Sequence, residues 1–184
     1  MATVNESDKK KWKKRGKLSF YGIIVAGIGF LIGLYIIAPM QAKSGAYVPK
    51  PVKEMPTDMV RFKNPDGGQV LLPLNLANDY DAREKGLNKV GAKALENTYL
   101  LYDQGDVTTW EEDYETGKIK AALSFAVIDG DGKVVSIKEA KVGEEEVSVE
   151  KDHRWVLAMK KGLLEEYGIK VGTELKIDSL PERK

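Results

Sequence analysis

The chain has 184 residues, 29 Lys and Arg against 28 Asp and Glu, one histidine and no cysteine. That length leaves room for one ordinary domain plus an appendage. The missing cysteines exclude disulfides, and a lone histidine excludes zinc or copper sites built from several His or Cys ligands.

The near-neutral total hides a division. Residues 9 to 17, KKKWKKRGK, carry seven positive charges, and Leu18 to Ala38 then run for 21 residues without an Asp, Glu, Lys, Arg or His. At about 1.5 Å per residue such a run spans roughly 30 Å, the thickness of a bilayer's hydrocarbon core, and it predicts a single N-terminal transmembrane helix over 18–38. A secretory signal peptide has a shorter apolar region of about 7–15 residues. Ser44-Gly45-Ala46 offers a weak cleavage site, so a cleaved leader is the alternative to a retained anchor. The basic run before the helix, against only Lys43 and Lys50 shortly after it, predicts a cytoplasmic N-terminus and an extracytoplasmic C-terminal domain. The basic tail, residues 1–17, is expected to sit on membrane lipid headgroups.

Gly22, Ala26, Gly29 and Gly33 lie along one side of the expected helix. Small residues let a second helix approach closely, so this face is expected to pack against a membrane-protein partner or a second copy. Residues 39–57 hold Pro39, Pro49, Pro51 and Pro56, four of the seven prolines. Extended polyproline geometry predicts a stalk reaching roughly 50 Å.

The expected outer domain covers residues 58–180. Ten of the 29 basic and three of the 28 acidic residues precede residue 57, leaving 19 against 25, a net charge of −6. An acidic domain is a poor nucleic-acid binder. MVRFKN and QVLLPLNLA read as a hairpin turned by Pro65-Asp66-Gly67-Gly68. Pro73 should push the second strand towards a sheet edge. NDYDAREKGL reads as a short helix capped by Asn78 or Asp79 and stopped at Gly86 or Gly91. IKAALSFAVID and KVVSIKEAKV form the clearest hairpin, around DGDG. HRWVLAM suggests another strand, LLEEYG a second short helix ending at Gly168, and TELKID a last strand. The expected class is α+β, mainly β, with a partly open barrel or sandwich-like body and two short helices.

Chemistry-bearing residues are few. His153, in KDHRW, reads as a surface or structural histidine. Asp129-Gly130-Asp131-Gly132 resembles the start of a calcium loop, but the bidentate Glu required at position 140 is Ala140, so it reads as a turn and no metal or cofactor is expected. Acids cluster at Glu111, Glu112, Asp113 and Glu115, at Glu144 to Glu146, and at Glu165 and Glu166. Paired carboxylates can hydrolyse glycosides when set about 5–10 Å apart across a cleft, which keeps a carboxylate-dependent hydrolase as one alternative. Trp110, Tyr102 and Tyr114 with Asp103, Asp106 or Glu112 could instead form a small-molecule or glycan platform.

The order of features from Val70 to Ile177 resembles the domain-of-unknown-function 192 family, small β-rich domains often exported or tethered. Arg83, Gly86 and Leu87 match its helix end. Phe125, Ile128, Asp129, Gly132 and Val135 match its central hairpin, and Leu157, Gly162, Gly168, Ile169 and Gly172 its closing segment. The resemblance implies a compact β domain and keeps Arg83 as a candidate binding residue, with pinning of the helix to the sheet as its expected role. Six polar or sulfur positions depart: Asn88 stands for Met, Glu111, Glu112 and Asp113 after Trp110 for Met-Lys-Asn, Ser124 for Asp and Ala158 for Glu. Turn and strand residues persist while the polar positions of a shared pocket are replaced, which implies a kept scaffold and an altered or lost site. The expected function is a membrane-anchored, non-enzymatic accessory or interaction module.

Overall fold

The computed structural model describes residues 45–180. The basic tail, the expected membrane helix and its face of Gly22, Ala26, Gly29 and Gly33 lie outside the described residues. Among the described residues no helix is long and apolar enough to cross a membrane.

A short helix α1 (Lys50–Glu54) leads into the hairpin of β1 (Thr57–Lys63) and β2 (Gln69–Ala77). At its bend Gly67 takes φ 89° and the Asp66 carboxylate accepts from the Gly68 amide. Helix α2 (Tyr80–Lys85) starts where Asp79 accepts from the Ala82 amide at 2.8 Å, and stops at Gly86, whose φ of 46° an L side chain resists. The remaining elements are β3 (Leu100–Asp103), β4 (Glu112–Glu115), β5 (Leu123–Ile128), β6 (Val134–Ala140), β7 (Glu146–Val149), β8 (Trp155–Lys160), α3 (Leu163–Glu166) and β9 (Glu174–Leu175).

Seven strands form one sheet in the order β6-β5-β8-β3-β2-β1-β9, and β4 and β7 form a separate ribbon. Only β2 and β3 run parallel. A parallel pair needs a crossover, and α2 with the 3-10 turn Ala94–Glu96 provides it. The two sheet edges meet at a single bridge, Lys133 to Glu174, beside which the Leu175 amide donates to the Gly132 carbonyl. The sheet therefore curls without closing into a barrel.

Both faces of the central strands are covered, which is why LSFAVI and WVLAMK lack polar alternation. Leu123, Phe125, Val127, Val156 and Ala158 pack with Leu87, Tyr102, Tyr114 and Val149 on one face. Ala126, Ile128, Trp155, Leu157 and Met159 pack with Phe62, Leu74 and Ile169 inside the curl. The mainly β body with short helices is as expected from the sequence.

Three local expectations need correction. The proline-rich segment is not an extended stalk up to Thr57, because from Gly45 onward it belongs to the body. The Gly45 carbonyl accepts from the Lys93 and Ala94 amides at 2.9 and 3.0 Å, and Val52 and Met55 are buried. Pro49 and Pro51 flank the start of α1, where a missing amide costs nothing. Strand β2 is also not an edge strand. Its pairing with β3 begins only at Asn75, so Pro73 meets no strand on the side away from β1. Finally, IKAA is not strand, and β5 begins at Leu123.

Candidate functional site

The polar side chains best suited to chemistry gather where the ribbon meets the sheet. His153 precedes β8 and is fully buried. Its Nδ1 lies 2.7 Å from the Glu150 carbonyl, which can only accept, and this assigns a proton to Nδ1. Thr108 donates to the His153 carbonyl at 3.2 Å, and the Thr108 amide donates to the same oxygen at 2.8 Å. The other ring nitrogen, Nε2, lies 3.3 Å from the Tyr114 hydroxyl and 3.5 Å from Glu112 Oε2. Tyr114 donates to Glu112 Oε2 at 3.1 Å and accepts from Gln104 Nε2 at 2.8 Å. Burial, and then the Glu112 charge, push the Tyr114 phenol above its ordinary ionisation range.

Tyr102 stands edge-on to Tyr114, with ring centroids 4.8 Å apart. Burial raises its ionisation too. Neither tyrosine is a free platform, which corrects the expectation of a flat binding surface at Tyr102 and Tyr114. Glu112 is half-buried and faces this node. Trp110 stands outside it, 65% exposed, and does not pack in the core. Arg83 donates through Nη1 to the Asp103 carbonyl at 3.1 Å, tying α2 to the end of β3. The carboxylates of Asp103 and Asp106 accept from the amides of Gly105 and Val107, holding the loop that leads to Trp110.

The structure thus brings Tyr102, Tyr114 and Glu112 together, with Trp110 and Arg83 apart. Gln104, Thr108 and His153 complete the node. His153 carried a signal as the only histidine; Gln104 and Thr108 carried none, since their roles arise from contacts 10 and 45 residues away.

Other candidate positions resolve individually. Asp129 Oδ1 accepts from the Asp131 and Lys133 amides at 3.0 and 2.8 Å, so DGDG uses its first carboxylate to hold the turn. Glu115 and Glu146 are paired across the ribbon, which joins two acidic clusters on an exposed surface. Among the described residues no three His, Asp or Glu side chains converge as metal ligands. Ser124 and Ala158 do not share a pocket. Phe125 pairs with Ala158 and Ser124 with Met159, and successive strand residues face opposite ways, so the two positions lie on opposite sheet faces.

A groove of about 450 Å³ opens where the segment from Gly45 meets α2 and the loop before β5. Tyr47, Lys50, Lys85, Lys89 and Lys118 line it, with Glu84 and Glu115. Asn88 builds its floor: its amide donates to the Glu115 carbonyl at 3.1 Å and its oxygen accepts from the Lys118 amide at 3.2 Å.

The family model DUF192, described as an uncharacterized ACR family, matches residues 62–177. None of the curated proteins matches the chain. Among solved structures, a protein from Sinorhizobium meliloti 1021 described as a "putative transcription regulator" aligns with a TM-score of 0.60 at 22% identity, covering 68% of this chain and 97% of its own. A protein of unknown function from Novosphingobium aromaticivorans DSM 12444 aligns with a TM-score of 0.59 at 18% identity, covering 74% of this chain and 96% of its own. At these identities the likeness concerns the fold.

Proposed function

The chain belongs to the DUF192 family, and from that premise we propose that it is a single-pass, membrane-anchored, non-enzymatic accessory module. Its helix associates with another membrane protein, or a second copy, through Gly22, Ala26, Gly29 and Gly33. The observation that carries this reading is the uncharged run Leu18 to Ala38, long enough to span a bilayer and preceded by seven positive charges. Support for a non-enzymatic role comes from the buried node, where His153, Tyr114, Glu112 and Gln104 direct their polar atoms at one another. Nucleic acid is no part of the reading, since 19 basic residues face 25 acidic ones beyond residue 56.

Mild-detergent extraction followed by native mass measurement tests the association. The expected result is a dimer or a complex with a second membrane protein that Gly29→Leu and Gly33→Leu each weaken. A strict monomer, unchanged by either substitution, would overturn it.

A second reading rests on Trp110, held exposed by a loop whose base is fixed at Thr108. An exposed Trp on a fixed loop suits the flat face of a sugar or another small apolar ligand. Titration with a glycan panel, monitored by tryptophan fluorescence and compared with Trp110→Ala, checks it. The same response in both proteins would end this reading.

A further inference from the structure

We infer that His153 and Glu112 form a buried, proton-operated latch. It fastens the ribbon and the loop carrying Trp110 to the sheet while the imidazole holds a second proton, and it lets go when that proton leaves. The latch lies within the body and operates whether or not residues 18–38 hold the chain in a membrane.

Nδ1 already carries a proton, for the Glu150 carbonyl 2.7 Å away can only accept. In a neutral ring Nε2 is then a bare lone pair. It faces the Tyr114 hydroxyl oxygen at 3.3 Å and Glu112 Oε2 at 3.5 Å, and the hydroxyl supplies one proton for both contacts. If Tyr114 donates to Nε2, Glu112 Oε2 loses the hydroxyl bond it accepts at 3.1 Å. If Tyr114 donates to Glu112, the lone pair of Nε2 is stranded against a hydroxyl oxygen and a carboxylate. A second ring proton ends the conflict. The imidazolium then donates from Nε2 towards Tyr114 and Glu112, Tyr114 donates to Glu112, and Gln104 Nε2 donates to Tyr114 at 2.8 Å. All four contacts coexist only in that state.

A charge on a fully buried ring needs a counter-charge, and Glu112 supplies it. With 27% of its side chain exposed, Glu112 also gives the ring a route to solvent protons. Tyr114 stays neutral, because burial and then the Glu112 charge raise its ionisation above the ordinary range, and burial does the same to Tyr102 behind it. The other charges around the ring are engaged elsewhere or stand in solvent. Lys138 of β6 pairs with the Glu150 carboxylate and holds it below the usual range, the His153 ring being a lesser cause. Asp103 accepts from the Gly105 amide, Arg154 lays its guanidinium over the Trp155 ring, and Lys151 and Asp152 are exposed.

His153 thus holds the Trp110 segment at both ends. Thr108 donates to the His153 carbonyl through its amide and its hydroxyl, bonds that a ring proton leaves unchanged. Glu112, the first residue of β4, is held by the ring itself. Strand β4 pairs with β7 and with no strand of the large sheet, so losing the ring bond loosens the start of the ribbon. The latch is complete while Glu112 is ionised and His153 carries both protons. It is lost as pH rises and Nε2 gives up its proton, and lost again in strong acid as Glu112 is protonated.

His153 is the only histidine, so the full chain in detergent micelles, labelled with nitrogen-15 histidine, gives one pair of ring signals by NMR. Both ring nitrogens should be protonated at about pH 5.5 and Nδ1 alone at about pH 8.5. Amide hydrogen exchange of residues 113–115 and 147–149, corrected for the intrinsic effect of pH, should be about tenfold slower at the lower pH, as one charge-assisted hydrogen bond predicts. Amides of β5 should show no such difference. Glu112→Gln should abolish the difference in the ribbon, and the measurements on the unsubstituted chain stand without that variant. A ring in the same protonation state at both pH values overturns the latch, as does a ring that titrates while ribbon exchange stays equal. A difference that survives in Glu112→Gln also overturns it, by assigning the effect to another group.

Discussion

Replacing Gly86 with Ala tests the junction between α2 and the sheet. Gly86 sits at φ 46°, ψ −143°, a backbone region that costs a non-glycine residue about 1–3 kcal/mol. A Cβ there would also lie 2.4 Å from the Tyr102 hydroxyl oxygen. Tyr102 is buried and braced edge-on by Tyr114, so its ring has little room to yield, and overpacking of this kind adds about 1–3 kcal/mol. Together these predict a loss of about 3–5 kcal/mol. For a body of this size each kcal/mol lowers the melting temperature by about 3–5 °C, so thermal unfolding followed by circular dichroism should shift by roughly 10–20 °C. The clash and the backbone strain separate in a double-mutant cycle. Tyr102→Phe alone removes only the buried hydroxyl and supplies the reference for the cycle. In the Tyr102→Phe background, Gly86→Ala should cost only the backbone part, giving a coupling of at least about 1 kcal/mol. A loss below about 1 kcal/mol for Gly86→Ala, or strict additivity of the two changes, would refute the contact as drawn.

Tyr114→Phe removes the hydroxyl shared by Gln104, Glu112 and His153; urea unfolding should show a loss of about 1–3 kcal/mol, with the same m-value. His153→Ala leaves a cavity and removes the ring partner of the Glu150 carbonyl and the Tyr114 hydroxyl, and should cost about 3 kcal/mol or more in the same assay. Burial holds the ionisation of Tyr102 and Tyr114 in the folded state above the ordinary phenol value of about 10. Their contribution is therefore complete below pH 10 and falls as pH rises above it, because the unfolded chain loses those protons first. Together they predict a fall of up to about 2.7 kcal/mol per pH unit above pH 10, with the part of the tyrosinate absorbance that Tyr102→Phe and Tyr114→Phe remove appearing only as the fold is lost. Gly91→Ala drives a Cβ to within 2.6 Å of the Gly45 carbonyl carbon and 3.0 Å of the Tyr47 amide. Limited proteolysis of the full chain should then cut between residues 44 and 50 several-fold faster, while unchanged cutting would mean that the segment docks some other way.

Local punctuation made much of the fold readable. The Asp79 cap, the Gly86 stop and the DGDG turn act through hydrogen bonds within four residues, and a sequence window contains all of that information. The ribbon was not readable, for a physical reason. EDYE and EVSV bury only Tyr114, Val147 and Val149, and each strand is held by its partner more than 30 residues away. Short, charged strands of this kind have too few apolar positions to show a period. Strand β3 was missed because LLYD is a four-residue run buried on both faces, which lacks alternation. The node was half legible. Glu112, Tyr114 and Tyr102 lie close enough in sequence to be grouped by eye, whereas His153 joins them only through the placement of β8 beside β3.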